Sequence, residues 1–248
     1  MTLKVIFLAA GGGSRLGKIT EEIPKPLIDI NGIPMIERQI KLFQNNHITN
    51  IIVTTGVKKE KFTIEGISYI YDSEHDSHDQ LGSLMAAREV INGEVIILFA
   101  DLLFDENILK QILQSKEDIG IAVEKNWEKS YLERPDRDQA AKVSIKEGKI
   151  TALSEKHTTK NAEKIVEFLG IIKLSSNGSK KLVDKYEELE KKHKGEFNDA
   201  TSLSTAKLTD LLYEMVKSNI EVKPIFINGK WCEVDTPNDL EKAKKMFI

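Results

Sequence analysis

The sequence predicts an α/β fold in which helices cover both faces of a mostly parallel sheet. Residues 4–10 (KVIFLAA) and 94–100 (EVIILFA) are continuous apolar runs rich in branched side chains, which is typical of strands buried on both faces. Segments with apolar residues at helical spacing lie between such runs. Strands that alternate with helices in this way usually run parallel, because each crossover helix returns the chain to the same end of the sheet.

The first half of the chain contains the clearest alternation. After the first strand and a Gly-rich loop, Ile36, Ile40 and Phe43 recur at helical spacing and predict a helix over 34–43. Asp105 is a good N-cap for a later helix. The other elements predicted in this half are strands at 50–55 and 67–71 and helices at 83–90 and 105–113.

The second half is less regular but ends on a clear helix signal. Thr236 is a good N-cap, Pro237 fits the first helical position and Asp239 stands where a capping box requires an acceptor. The Glu147–Gly148 turn predicts a hairpin. The other elements predicted in this half are strands at 119–124, 141–145, 150–153, 168–174 and 222–227 and helices at 179–192 and 206–217.

The composition restricts the classes of function. The chain of 248 residues has 36 Lys and Arg against 39 Asp and Glu, a formal charge of −3, which argues against a dedicated nucleic-acid binder. The longest apolar stretches are about strand-sized, so no membrane span is expected. The apolar start runs into a Gly-rich loop rather than a cleavage site, and a single cysteine, Cys232, excludes an intrachain disulfide. These observations predict a cytoplasmic protein.

The Gly-rich loop after the first strand can present backbone N–H groups to phosphate oxygens. Gly11 and Gly13 begin the dinucleotide fingerprint G-x-G-x-x-G, but Leu16 stands at its third glycine, which disfavours a nicotinamide dehydrogenase. Residues 12–18 fit the Walker pattern up to its lysine, but Ile19 replaces the hydroxyl that should hold magnesium. A P-loop NTPase is therefore also disfavoured.

The segment LAAGGGSRLG (8–17) together with PKPL (24–27) resembles the signature of nucleotidyltransferases that join a nucleoside triphosphate to a sugar phosphate or phospho-alcohol. The resemblance spans essentially the whole chain and implies a Rossmann-like sheet with an inserted acceptor-binding region. It implies that Arg15 holds the outer phosphates and that Lys25 contacts the reacting phosphate. The residues that it implies around the base and triphosphate are Leu8, Ala10, Gly11, Gly12, Gly13, Gln80, Gly82 and Ser83.

Two aspartates are candidate metal ligands. Asp101 directly follows the strand at 94–100, at the carboxyl end of a sheet strand, where ligands gather in open α/β folds. Asp235 lies in WCEVDTP, just before the closing helix. In the resembled family an Asp in each of these places coordinates the metal, and Mg²⁺ prefers such carboxylate oxygens. Glu233 adds a third carboxylate on the same side as Asp235 if the segment is extended.

The second half of the chain narrows the resemblance to the CTP-dependent branch, through NWEKSYLERPD (126–136), EFLGIIKLS (167–175) and LTDLLYEM (208–215). This branch implies CTP as co-substrate. It implies as acceptor a small phosphonate, such as 2-aminoethylphosphonate, or a phosphomonoester, such as phosphocholine or inositol 1-phosphate. Ala141 departs from the pattern, which has an acidic residue there. The candidate acceptor-binding residues are Lys142 and Lys156 for the phosphonate or phosphate and Trp127, Tyr131, Glu196 and Asp199 for an amine.

We therefore expect one domain over 1–248, with a nucleotide-binding half at 1–115, an acceptor-binding insert at 116–205 and closing helices with the second metal aspartate at 206–248. The expected activity is Mg²⁺-dependent transfer of CMP from CTP to a small acceptor, with release of pyrophosphate. A hexose-1-phosphate nucleotidylyltransferase that uses UTP or dTTP stays an alternative, as does a non-catalytic nucleotide-binding regulatory module. The small-molecule substrates are the expected partners, and dimerisation is common among similar proteins.

Two histidines lie in the acidic segment DSEHDSHD (72–79). The spacing of His75 and His78 matches no specific zinc pattern. The segment is therefore predicted to be a solvated flexible loop.

Overall fold

The computed structural model describes residues 2–130, 140–156 and 158–248. The strands in these ranges are β1 (Lys4–Ala9), β2 (Asp29–Ile30), β3 (Ile33–Pro34), β4 (Asn50–Thr55), β5 (Ser68–Tyr71), β6 (Val95–Phe99), β7 (Leu102–Phe104), β8 (Ile119–Glu124), β9 (Lys142–Lys146), β10 (Lys149–Ser154), β11 (Lys164–Leu174), β12 (Lys223–Phe226) and β13 (Trp231–Glu233). The helices are α1 (Ile19–Glu22), α2 (Met35–Asn45), α3 (Gln80–Met85), α4 (Glu106–Gln114), α5 (Trp127–Ser130), α6 (Ser176–Lys192), α7 (Leu208–Lys217) and α8 (Pro237–Met246). Most predicted strands and helices are present, with ends shifted by a few residues.

Nine of the described strands form one sheet. Its parallel part has the order β5-β4-β1-β6, and Phe7 of β1 lies opposite Val53 on one side and Leu98 on the other. β11 pairs in antiparallel orientation with β6, and β9 and β10 continue from it toward one edge. β8 also pairs with β11, and β12 runs parallel to β8. The predicted α/β class with a parallel core is confirmed, and the second half of the chain extends the sheet with antiparallel strands.

Helices cover both faces of the central strands, which explains why β1 is apolar along its whole length. Successive side chains of a strand point to opposite faces. Val5 and Phe7 pack into one apolar core with α2 and α4, whereas Ile6 packs into a second core with α3, α6 and α7. All three side chains are fully buried. Across the described ranges, no helix combines the length and the apolar character that a membrane crossing requires.

Two differences from the predicted elements affect the cavity described below. α3 begins at Gln80 rather than Ser83, because the Asp79 side chain accepts a hydrogen bond from the backbone N–H of Gln80 at 2.7 Å and caps the helix. β7 and β13 pair with each other as a two-stranded ribbon outside the large sheet. The sequence pattern does not predict them, because a three-residue strand is too short to show an alternation.

Candidate active site

A cavity of about 590 Å³ opens at the carboxyl ends of the central strands. Ala9 and Ala10 line it from the end of β1, and Phe99 and Asp101 line it from the end of β6. Ligands bind at this position in open α/β sheets because the loops that follow parallel strands meet there. This cavity is therefore the candidate active site.

Two segments that are far apart in sequence bring carboxylates to the cavity. Asp101 directly precedes β7, Asp235 follows β13, and these two strands pair in antiparallel orientation. The backbone N–H of Val234 donates to the carbonyl of Asp101 at 3.0 Å. On its other side Asp235 is fixed by α8, because its backbone N–H donates to the capping-box residue Asp239 at 3.3 Å. The predicted capping box thus contributes directly to the position of Asp235.

Glu233 completes a group of three carboxylates. One oxygen from each of Asp101, Glu233 and Asp235 lies within 4.8 Å of the others. Oδ1 of Asp101 is buried and has no hydrogen-bond partner among the described residues. A buried carboxylate oxygen is costly unless a donor or a cation reaches it, and oxygen ligands of this kind are the ones that Mg²⁺ prefers. The donor set therefore fits a hard divalent cation.

Lys25 brings a positive charge to this group of carboxylates. Its Nζ donates to Oδ2 of Asp101 at 2.7 Å and also to Oδ1 of Asp235, and the side chain is 10% exposed. Burial by itself lowers the pKa of Lys25, but the two carboxylates raise this pKa by more, so the ammonium stays charged. Gly13 makes room for this side chain, because with its φ of +65° a Cβ there would lie 2.8 Å from Cβ of Lys25.

Arg15 reaches the same carboxylate from a more exposed position. Its Nη2 donates to Oδ1 of Asp235 at 2.8 Å, with the Arg15 side chain 51% exposed and that of Asp235 only 5% exposed. Two cations therefore share one buried acceptor oxygen. A half-exposed guanidinium can turn toward an anion that enters the cavity, whereas the enclosed ammonium of Lys25 stays next to the carboxylates.

The protonation of Glu233 is clearly shifted. Burial raises the pKa of Glu233 well above its ordinary value, and the charges of Asp235 and Asp101 raise the pKa further, against the opposing effect of Lys25. The folded state therefore keeps this proton to a higher pH than the unfolded chain does. The corresponding stability is present below the unfolded pKa and is lost as the pH rises through the raised folded pKa.

We expect Glu233→Gln to raise the melting temperature of metal-free protein at pH 8 by a few degrees, since roughly 1 kcal/mol corresponds to about 2–4 °C at this chain length. Glutamine cannot ionise, so the advantage shrinks as the pH falls toward the ordinary glutamate value of 4.5. Thermal melts in a chelator at several pH values measure this difference. Glu241→Gln, at an exposed position of α8, is the control. A difference that does not vary with pH would contradict the shifted protonation of Glu233.

The structure brings most of the residues expected around the nucleotide to the cavity. Those that line it are Leu8, Ala10, Gly11, Gly13, Arg15, Lys25, Gln80 and Ser83. Gly12 and Gly82 are absent from the described lining. Gly82 instead makes room for the ring of His78, because a Cβ on Gly82 would lie 2.0 Å from Nδ1 of that ring. Gly82 thus has an indirect effect on its neighbour, and its direct contact with the base stays a prediction.

Residues 73–79 form a loop that is mostly exposed, as expected, but the prediction is wrong for His75 and His78. Their side chains are only 13% and 9% exposed, and both line the cavity. Nε2 of His78 lies 3.1 Å from Oδ1 of Asp72, which is itself 1% exposed. The acidic composition suggested solvation, but it does not reveal that Asp72 is buried directly after β5.

The two lysines predicted to bind the acceptor do not line the described part of the cavity. Nζ of Lys142 donates to the carbonyl of Glu155 at 3.0 Å, and Nζ of Lys156 donates to the carbonyl of Asp199 at 2.6 Å. The carboxylate of Asp199 accepts a hydrogen bond from Oγ of Ser154 at 2.5 Å. These contacts join segments of the second half of the chain to one another, and the assignment of Lys142, Lys156 and Asp199 to the acceptor stays a prediction without support from the described cavity lining.

The remaining acceptor candidates are also located away from the described lining or outside the described ranges. Trp127 is 5% exposed, packs against Ala140 and donates from Nε1 to the carbonyl of Ile165 at 3.3 Å. Glu196 is exposed to solvent. Tyr131 lies outside the described residues. Trp127 therefore has a packing role, and its contact with an amine stays a prediction.

Other side chains from the second half line the cavity in their place. Glu155 and Lys207 form an ion pair on its wall, with Oε2 and Nζ 2.5 Å apart. Glu167 of β11 lines it as well and is only 4% exposed, and Trp231 adds an aromatic surface. None of these four residues is among the site residues predicted from the sequence. The sequence does contain a signal for Glu167, which is the single acidic residue at the start of the apolar run EFLGIIKL. Carboxylates are seldom buried without a partner or a function, so an acid in a predicted buried strand is a candidate site residue.

Comparison with known sequences gives one family and several distant relatives. A family model described as the MobA-like NTP transferase domain matches residues 5–164. The CTP:phosphoglutamine cytidylyltransferase of Campylobacter jejuni subsp. jejuni serotype O:2 is 24% identical, over 96% of this chain and 98% of its own length. The chain spans about half the length of bifunctional relatives that it also matches. One of these is the GlmU protein of Methanococcus vannielii, 27% identical over 99% of this chain and 55% of that protein.

Solved structures of low sequence identity share the complete fold. The CTP:phosphocholine cytidylyltransferase from Streptococcus pneumoniae superposes with a TM-score of 0.76 at 18% identity and covers 100% of both chains. A UDP-glucose pyrophosphorylase complexed with UDP-glucose superposes with a TM-score of 0.75, also at 18% identity, over 99% of this chain and 98% of that one. These likenesses establish the fold and do not choose between a cytidine and a uridine nucleotide.

Proposed function

The chain belongs to the family of MobA-like NTP transferase domains, and on that premise we propose that it is an Mg²⁺-dependent cytidylyltransferase. It transfers CMP from CTP to a small phosphonate, such as 2-aminoethylphosphonate, or to a phosphomonoester, such as phosphocholine, and releases pyrophosphate. The similarity to a CTP:phosphoglutamine cytidylyltransferase supports CTP as the co-substrate. The observation that carries the proposal is the carboxylate of Asp235, which binds both Arg15 and Lys25 beside a second carboxylate, Asp101.

These paired charges suit a polyanion and a cation that enter the cavity together. The oxygens of a triphosphate can replace carboxylate oxygens as partners of Arg15 and Lys25. A divalent cation can in turn compensate Asp101, Glu233 and Asp235. Each charged group exchanges one partner for another, so the complex leaves no buried charge uncompensated. An uncompensated buried charge would be strongly unfavourable.

In the transfer step, an acceptor oxygen forms a bond to the α-phosphorus of CTP. The bond from that phosphorus to the oxygen bridging to the β-phosphate breaks, and its electron pair leaves with pyrophosphate. Lys25 stabilises the charge on the non-bridging oxygens of the α-phosphate, and Arg15 holds the β- and γ-phosphates. No side chain has to remove a proton, because a phosphonate or phosphate oxygen is already ionised near neutral pH.

The three carboxylates are the groups that would hold the metal. Asp101, Asp235 and Glu233 offer oxygen ligands from the ribbon of β7 and β13 and the residues next to it. A divalent cation held by them would neutralise phosphate charge and help to orient the reacting groups. Lys25 and Arg15 complete this arrangement from the protein side.

We assign the acceptor to the wall formed by the second half of the chain. The ion pair of Lys207 with Glu155 places an ammonium on this wall for the acceptor phosphonate or phosphate. Glu167 offers a carboxylate toward an amine, and the ring of Trp231 offers an apolar or cation-binding face. These residues take the roles first expected of Lys142, Lys156 and the residues assigned to the amine.

The proposal is tested by pyrophosphate release from CTP, UTP and dTTP with a panel of acceptors: 2-aminoethylphosphonate, phosphocholine, inositol 1-phosphate, phosphoglutamine and glucose 1-phosphate. We expect release with CTP and one of the first four. Turnover of glucose 1-phosphate with UTP or dTTP, and of none of the others, would identify the hexose-1-phosphate alternative. Binding of CTP with no release for any acceptor would identify a regulatory module.

A further inference from the structure

A buried carboxylate outside the metal group has no role in the transfer step. Asp72 follows β5 directly and is 1% exposed. Its Oδ2 accepts a hydrogen bond from Oγ of Ser83 at 2.8 Å, and its Oδ1 lies 3.1 Å from Nε2 of His78. The backbone N–H of Glu74 also donates to Oδ1 at 3.1 Å. This carboxylate is thus enclosed by donors on the side of the cavity formed by α3 and the loop before it.

These contacts fix the direction of the Ser83 hydroxyl. An ionised carboxylate only accepts hydrogen bonds, whereas a serine hydroxyl has one hydrogen to donate and two lone pairs to accept with. Because Ser83 gives its hydrogen to Asp72, it presents only lone pairs to the cavity that it lines. The same argument places a proton on Nε2 of His78, which points at the carboxylate.

The direction of the Ser83 hydrogen bond determines which base the cavity can accept. Ser83 and Gln80 lie on α3 and line the cavity together with Leu8 and Ala10 at the end of β1, the region that the proposed function gives to the pyrimidine. Cytosine carries an amino group at its position 4 and therefore donates hydrogen bonds there. Uracil and thymine carry a carbonyl at that position and accept. A fixed acceptor binds the amino group and repels the carbonyl.

We propose that Asp72 is a positioning residue which, by holding the Ser83 hydrogen, makes the site select a 4-amino pyrimidine over a 4-oxo pyrimidine. The inference rests on the proposed function for the location of the base. A site built around a fixed hydrogen-bond partner discriminates strongly, because the wrong base leaves a buried polar group unpaired. His78 supports the arrangement by holding the other oxygen of Asp72, and Gly82 supports it by leaving space for the His78 ring.

The decisive variant is Asp72→Asn. His78 donates to the position of Oδ1, so the amide oxygen takes that place and the amide NH₂ faces Ser83. Ser83 then accepts from Asn and is free to turn its hydrogen into the cavity, where it can donate to the carbonyl of uracil. We expect the wild-type protein to bind CTP at least about 10-fold more tightly than UTP, the factor that corresponds to one hydrogen bond of about 1.4 kcal/mol. In Asp72→Asn this ratio falls about 10-fold or more.

The measurement is the dissociation constant of each nucleotide with Mg²⁺ and without any acceptor, on the full chain. A merely structural role of Asp72 weakens CTP and UTP alike and leaves their ratio unchanged. Ser83→Ala removes the acceptor with a minimal change of volume, and we expect it to lose the preference as well. Asp118→Asn is the control, because Asp118 also accepts from a serine, Oγ of Ser175 at 2.5 Å, but Ser175, unlike Ser83, is absent from the described cavity lining.

The outcomes separate this inference from the proposed function. Equal affinity of the wild-type protein for CTP and UTP, or an unchanged ratio in both Asp72→Asn and Ser83→Ala, overturns the inference even if pyrophosphate is released. A preference for CTP that collapses in both variants and persists in Asp118→Asn supports it. Absence of pyrophosphate release for every acceptor refutes the transferase while the binding ratios still decide the role of Asp72.

Discussion

Lys25→Met is expected to slow CMP transfer by about 100- to 1,000-fold, the factor typical for the loss of one preorganised charge-stabilising donor. Methionine keeps the length and most of the volume of the side chain but carries no charge. The effect falls on kcat, because the negative charge on the non-bridging oxygens of the α-phosphate needs the ammonium most in the transition state. Steady-state pyrophosphate release measures kcat and the KM for CTP separately.

The same variant separates the catalytic role of Lys25 from its role in folding. Removing one partner of a buried ion pair costs roughly 3–5 kcal/mol, so metal-free Lys25→Met unfolds at a lower temperature than the wild type. If the proposed metal site is correct, Mg²⁺ compensates the carboxylates of Asp101 and Asp235 in place of the lost ammonium. We therefore expect Mg²⁺ to raise the melting temperature of the variant by more than it raises that of the wild type.

Lys173→Met is the matched control for this variant. Lys173 is also a buried lysine, and its Nζ donates to the carbonyls of Leu113 and Ser115 at 2.8 and 2.7 Å, away from the cavity. Its replacement should lower stability and leave kcat and the Mg²⁺ response near their wild-type values. If Lys25→Met kept the wild-type kcat, its assigned contact with the α-phosphate would be wrong.

Asp101→Asn is expected to reduce pyrophosphate release at a fixed Mg²⁺ concentration by about 100-fold or more, since even groups that only orient metal ligands cost about 10- to 100-fold. Asparagine keeps the shape and one oxygen but loses the negative charge that attracts the cation. The midpoint of a Mg²⁺ titration should shift to a higher concentration, and excess Mg²⁺ should restore part of the rate. Asp118→Asn again serves as the control.

An unchanged Mg²⁺ midpoint in Asp101→Asn would refute its assignment as a metal ligand. A lower rate with an unchanged midpoint would instead place Asp101 among the groups that hold Lys25. The titration therefore distinguishes two roles of Asp101: its contact with Lys25 and its place in the cluster with Glu233 and Asp235.

The fold could be predicted from the sequence where an element is long enough to show an apolar run or a capping signal. The apolar runs define β1, β4 and β6, and the capping box of α8 is present with Thr236 and Asp239 in their predicted places. Short elements could not be predicted, because β7 and β13 contain three residues each and gain their stability only from pairing with each other. The early start of α3 depends on whether Asp79 or a later residue caps it, which local sequence leaves open.

The site residues that belong to sequence motifs could be predicted, and those outside motifs could not. Arg15, Lys25, Asp101 and Asp235 belong to motifs, and the structure brings all four to one cavity, where their roles stay predictions. The acceptor residues belong to no motif, and a lysine in a sequence can equally reach a ligand or a carbonyl. Lys142 and Lys156 bind carbonyl oxygens of neighbouring segments, a choice made by tertiary packing.

The ribbon of β7 and β13 is structurally separate from the nine-stranded sheet. The spacing of Asp101 and Asp235 depends on this ribbon and on α8, whereas Glu167 belongs to β11 and Ser83 to α3. Substitutions in β11 or α3 can therefore change one wall of the cavity while the carboxylates keep their positions. During divergence from a common ancestor, a protein built in this way can acquire a new acceptor or a new base without having to evolve its chemistry again.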